Sequence, residues 1–105
     1  MELKVIWSEF AEIQLDEIFD FYKKEASLRV ANKLVREIIF DSESLSDNPF
    51  IGQIEFRLEN RKFEYRYLLC KHYKIIYSVS IEQGLIKIAD VFDTRQYPPK
   101  IGREK

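Results

Sequence analysis

The chain has 105 residues, enough for one domain spanning 1–105 and no more. Hydrophobic residues make up 46% and aromatics 14%, which argues for a real core and against disorder, and a chain of this size needs neither disulfides nor metal to fold. The formal net charge of −1 conceals an asymmetry: residues 1–50 carry 11 acids against 6 Lys/Arg, and residues 51–105 carry 7 acids against 11. Bulk charge therefore gives no support to nucleic-acid binding, but the polarity between halves suggests a basic face or a complementary partner.

The N-terminal stretch MELKVIWSEF lacks a basic start, a following apolar run and a small-residue cleavage site, so no signal peptide is expected. Within it, LKVIW (3–7) is rich in branched and aromatic residues and reads as a strand. Ser8 then supplies a helix cap, with Glu9 and Glu12 in the first turn, where the helix dipole favours acids. Ala11, Leu15, Ile18, Phe19 and Tyr22 fall at helical spacing on one face, and Glu9, Glu12, Asp16 and Asp20 form an acidic stripe on another. The bland reading of that stripe is a solvated helix face; the sharper one is DNA mimicry or a contact for a basic segment of a partner.

Ser27 is a second cap, and Val30, Leu34, Val35, Ile38 and Leu45 carry a second apolar stripe. SDNP (46–49) ends this helix, because Pro49 disfavours helical geometry at Asn48. Two consecutive helices with a short link predict an antiparallel helical hairpin.

Beyond Gly52 the period changes from helical to two. KFEYRYLLCK places Phe63, Tyr65, Tyr67 and Leu69 on one face, and YKIIYSVS places Tyr73, Ile75, Tyr77 and Val79 on one face. Pairing Leu69 with Tyr73, Tyr67 with Ile75 and Tyr65 with Tyr77 merges these into one aromatic–aliphatic surface. That register requires the odd connection Cys70-Lys71-His72 with a bulge. Arg66, Leu68, Lys74, Ile76 and Ser78 then share the opposite face. IEQG (81–84) reads as a turn, and LIKIADVF (85–92) as the last strand; pairing Ser80 with Leu85 adds Lys87 and Ala89 to the less apolar face. The expected fold is α+β, in the order β-α-α-β-β-β, an antiparallel sheet packed on the helical hairpin. The lone Cys70 suits a reducing cytoplasm, and no run of about 18 apolar residues suggests a membrane span.

Four stretches, in this order and spacing, resemble the RelE/ParE superfamily of type II toxins, which includes plasmid stabilisation proteins. WSEFAEIQLDEIFDFY is similar to the first-helix signature and NPFIG to the Pro-x-x-Gly after the second helix. YRYLLCKHYKIIYSV resembles the central hairpin, and IADVFDTRQYPPKI the last strand with its arginine-bearing exit. The resemblance implies a cytoplasmic toxin that arrests growth and is neutralised by a separate antitoxin. It leaves the target open, since RelE-like members cleave mRNA in the ribosomal A site and ParE-like members inhibit DNA gyrase.

RelE-type cleavage needs activation of a 2′-hydroxyl, stabilisation of charge on the phosphate and protonation of the leaving oxygen, without a metal. The catalytic candidates are Arg66, Lys74, Arg95 and Tyr97. Lys74 stands where the resemblance places a basic residue, and the Arg95 fork matches two phosphate oxygens. Asp93 and Thr94 can position Arg95, and Pro98-Pro99 stiffen the exit. Tyr97 can stack on a base or relay a proton. Against these stand plainer roles: Arg66 and Lys74 as solubilising strand cations, Tyr97 as packing at a core edge, His72 as an exposed turn residue and Cys70 as a small half-buried one. One His and one Cys do not supply a zinc site unaided, and no cofactor is expected. RNA-cleaving members often carry two or more basic residues on the strand before the hairpin turn; here Arg66 stands beside Leu68 and Cys70. The preferred expectation is a ribosome-dependent mRNA endonuclease. The alternatives are a gyrase inhibitor without enzymatic activity and a degenerate member that only binds its antitoxin.

Overall fold

The computed structural model describes residues 2–55 and 64–95. Strand β1 (Lys4–Trp7) leads into helix α1 (Glu9–Glu25), then α2 (Leu28–Glu43) with a 3-10 turn at Ser44–Ser46, and the strands β2 (Gln53–Ile54), β3 (Tyr65–Cys70), β4 (Tyr73–Ser80) and β5 (Leu85–Asp93). Among the described residues they form one sheet in the order β1-β5-β4-β3-β2. The expected α+β architecture is present, with two additions. The short β2 pairs on the outer edge of β3, and β1 lies parallel to β5, whereas all other pairs are antiparallel.

Both caps form as the sequence predicts. The Ser8 side chain accepts from the Ala11 amide at 3.0 Å and also donates to the Ala89 carbonyl at 3.3 Å, so the start of α1 is tied to β5. Ser27 accepts from the Val30 amide at 3.1 Å. Between the helices, the amides of Ala26 and Ser27 both donate to the Tyr22 carbonyl, closing α1 before α2 begins.

The principal core lies between hairpin and sheet. Leu34 and Ile38 of α2, Ala11 of α1 and Leu45 meet Tyr73, Ile75, Tyr77, Ile86, Ile88 and Val91, with Trp7, Leu15 and Ile18 at the margin. The other face of the sheet carries a smaller cluster in which Ile76, Ala89 and Phe92 pack with Tyr65 and Tyr67.

The register of β3 against β4 differs from the sequence expectation by one residue. Cys70 opposes Tyr73, Tyr67 opposes Ile76 and Tyr65 opposes Ser78, so the connection is the two-residue turn Lys71-His72. Lys71 adopts φ 56°, the positive value that the first residue of a type II′ turn requires. A one-residue slip moves every β3 side chain to the other face. Leu68 and Cys70 therefore join the helix-side core, and Tyr65 and Tyr67 the opposite surface. Alternation could not decide this, because Leu68–Cys70 and Tyr65–Tyr67 offer each face apolar residues. The bulge expected at the β3–β4 connection does not form, since that register is continuous; a register shift lies instead between β4 and β5, after Ile76. The pairing of Ser80 with Leu85 is as expected.

Candidate functional site

The exit of β5 is held by the β3–β4 turn. Thr94 donates to the His72 carbonyl through its amide at 2.9 Å and its hydroxyl at 2.8 Å. This places Asp93 and Arg95 beside His72, residues more than twenty positions apart in sequence.

Asp93 grips Arg95 on three sides. Its Oδ1 accepts from the Arg95 amide at 2.8 Å and from Nε at 3.1 Å, and its Oδ2 accepts from a terminal guanidinium nitrogen at 3.0 Å. The paired fork and carboxylate fix the side chain in one orientation. Hydrogen bonds from Arg95 hold the Asp93 carboxyl below its ordinary pKa despite partial burial, and the same pairing raises Arg95. Arg95 stays 63% exposed, and Asp93 only 16%. The guanidinium is thus a fixed surface group backed by a partly buried anion.

A second layer comes from α1. The Tyr22 hydroxyl lies 3.4 Å from His72 Nε2 and accepts from the Tyr73 hydroxyl at 3.4 Å, and His72 Nε2 is 3.8 Å from Asp93 Oδ2. The His72 and Tyr73 rings are 4.5 Å apart between centroids. Burial, followed by the Tyr22 contact, raises the Tyr73 phenol above its ordinary value. His72 is half-buried, not the free turn residue its sequence position suggests. Tyr22 carries no site signal in the sequence, and His72 reads there chiefly as an exposed turn residue. They meet because Tyr73 pairs with Asp93, a register the sequence pattern does not display.

The remaining candidates are dispersed. Lys74 Nζ is 2.6 Å from Glu55 Oε1 and 4.1 Å from the Tyr67 ring centroid, so its charge is neutralised and sandwiched on the sheet face away from the hairpin. Arg66 does not share that face, as the expected register required. Its guanidinium donates to the Gly52 carbonyl at 2.9 Å, pairs with Glu64 at 3.1 Å and covers the Phe50 ring at 5.1 Å. The one-residue slip of β3 is the cause. Tyr97 lies outside the described residues. Cys70 is buried, with its thiol pushed up to about 12, first by burial and then by Asp41, so it is an inert core residue. No described helix is long and apolar enough to cross a membrane.

A family model for the ParE toxin of the type II toxin–antitoxin system parDE matches residues 5–98. The chain belongs to this toxin family. No curated protein matches it. Among solved structures it is similar to a chain of a chromosomal ParDE toxin–antitoxin system from P. aeruginosa, at 19% identity and a TM-score of 0.73, covering 90% of this chain and 98% of that one. That likeness concerns the fold: two helices followed by a mostly antiparallel sheet.

The contacts of Tyr77 give the NPFIG stretch a physical meaning. Tyr77 is fully buried, its hydroxyl donating to the Pro49 carbonyl at 2.9 Å and accepting from the Gly52 amide at 3.0 Å. A Cβ on Gly52 would stand 2.7 Å from the Tyr67 carbonyl oxygen and closer still to the Tyr77 hydroxyl. Only glycine lets the chain after α2 lie on the sheet at this point.

Proposed function

We propose that this ParE-family toxin acts by binding, with DNA gyrase as its target, and that a cognate antitoxin neutralises it in the cytoplasm. The reading rests on one observation: the cations expected to cleave RNA are each committed elsewhere. Lys74 is neutralised by Glu55, Arg66 serves the loop after α2, and Arg95 is clamped by Asp93. Stabilising a pentacoordinate phosphate takes several cations converging on one point. A preorganised, exposed arginine over a partly buried carboxylate suits a protein contact, where rigid arginines contribute disproportionately. Arg95 is then the central contact.

The test is supercoiling of relaxed plasmid by purified gyrase in the presence of the free toxin. Wild type is expected to inhibit, and Arg95→Ala to inhibit about tenfold less, on the scale of a truncated interface arginine. Intact gyrase activity together with cuts in the A-site codon of ribosome-bound mRNA would overturn the proposal. One observation favours the mRNA-cleaving alternative, namely the juxtaposition of His72, Tyr22 and Asp93 beside Arg95, a set that includes groups able to move protons. The ribosome arm of the experiment, with His72→Ala added, decides between the two.

A further inference from the structure

Arg95 is exposed, yet its charge is already paired. Asp93 takes its Nε–H at 3.1 Å and a terminal N–H at 3.0 Å. That two-point fork is the geometry with which an arginine clasps a carboxylate or a phosphate. Here it is closed from inside the chain, by a carboxylate that is itself only 16% exposed. Two of the five guanidinium N–H groups are thereby occupied, and a fixed negative charge cancels the positive one. What Arg95 offers a partner is the terminal edge of a rigid, electrically compensated plate.

The plate is held from a second side. The Tyr22 hydroxyl of α1 faces the guanidinium and favours its charged form. That hydroxyl is itself fixed, 3.4 Å from His72 Nε2 and accepting from the Tyr73 hydroxyl at 3.4 Å. The backbone is pinned as well: the Asp93 carboxylate accepts from the Arg95 amide, and Thr94 donates twice to the His72 carbonyl. Arg95 is therefore positioned before any partner arrives, which lowers the entropy lost on binding. An apolar surface continues from Tyr22, because the exposed Phe21 ring meets it edge-on at 5.1 Å between centroids.

We infer that Arg95 reads an uncharged oxygen acceptor on the target, a main-chain carbonyl, and that Asp93 and Tyr22 are the positioning residues that set this preference, an inference that rests on the gyrase-binding reading. A phosphate or carboxylate on the partner would approach the Asp93 carboxylate behind the arginine, and like charges set close together are penalised. A carbonyl takes the remaining N–H groups without that penalty. The exposed Phe21 beside Tyr22 suits a protein surface and has nothing to gain from a phosphate backbone.

The test measures the affinity of the purified toxin for intact purified gyrase. Arg95→Lys keeps the charge and loses the planar fork, so it is expected to weaken binding about tenfold, as much as Arg95→Ala. Asp93→Asn makes the site more positive and releases the guanidinium; it is expected to weaken binding about tenfold, the scale of a hydrogen bond to a charged group. Tyr22→Phe should weaken it about threefold, the scale of one neutral hydrogen bond. Combined with Arg95→Ala, neither Asp93→Asn nor Tyr22→Phe should have a further effect, a result that a general loss of packing does not give. Tighter binding by Asp93→Asn, or full binding by Arg95→Lys, overturns the proposal in favour of an anionic acceptor and leaves the gyrase reading standing. Further weakening in the double variants overturns the positioning role, and unchanged binding by Arg95→Ala overturns the contact itself. Failure of the wild type to bind gyrase removes the gyrase reading as well.

Discussion

Tyr77 illustrates how a single hydroxyl organises the start of the sheet. It is a buried phenol whose oxygen answers two backbone groups of the loop after α2, the Pro49 carbonyl and the Gly52 amide. Tyr77→Phe keeps the ring and strands the Gly52 N–H in a buried position. An unsatisfied buried donor costs about 1–3 kcal/mol, so urea unfolding should show a loss in that range with an unchanged m value. A loss below about 0.5 kcal/mol would mean that the loop finds other partners. At the same scale, the sequence marks Arg95 as an arginine directly after the last strand, while Pro98-Pro99, expected to stiffen the exit, lie outside the described residues. The clamp of Arg95 by Asp93 is only partly legible, and the approach of Tyr22 and His72 to it not at all, because they come from α1 and from the β3–β4 turn.

The β3–β4 hairpin is the element on which sequence reasoning went astray. Its alternation is legible in the sequence and its phase is not, since a two-residue turn and a three-residue connection both join YRYLLC to YKIIYSV. What selects the observed register is burial: Cys70 is 4% exposed and lies opposite Tyr73, while Leu69 is left 59% exposed. The turn carries a cost, because Lys71 holds a positive φ that glycine adopts freely. Lys71→Gly should relieve about 1 kcal/mol of backbone strain and lose only an exposed ion pair with Glu37. The expected result is a net gain of roughly 0.5 kcal/mol or a neutral outcome in denaturant melts. A clear loss of stability would show that the Lys71–Glu37 link between turn and α2 outweighs the turn geometry.

For the whole molecule, the shifted ionisations predict a stability profile falling at both ends of the pH scale. Asp93 titrates below its ordinary value of 3.8 because Arg95 hydrogen-bonds its charged form. As pH falls past 3.8, the unfolded chain takes up this proton and the folded chain does not, so stability declines until the folded value is passed. At the alkaline end the sign reverses. Cys70 is pushed by burial from 9.0 to about 12, and burial also raises Tyr73 and Tyr77 above their ordinary 10.0. Above pH 9 the unfolded chain releases protons that the folded chain retains, and stability falls again. Thermal midpoints across pH should show a plateau between these limits. Asp93→Asn should flatten the acid limb and leave the Cys70 part of the alkaline limb unchanged; an acid limb untouched by that change would mean that the Asp93–Arg95 clamp contributes nothing.

The sequence by itself determined the α+β architecture, the two caps, the order of the helices and the long strands, and the family. These depend on local patterning: a serine before a 3.6-residue period, a proline after it, a change to period two. It also marked Arg95 by its position after the last strand. The tertiary structure decided which residues share a face and which charges are cancelled. Arg66 and Lys74 separate because a one-residue register choice in β3 is worth a whole face, and that choice is made by packing against α2. Glu55 neutralises Lys74, and Tyr22 reaches His72, across long sequence separations. The pairing energy of such contacts exists only once the hairpin has closed onto the sheet, so no local pattern records it.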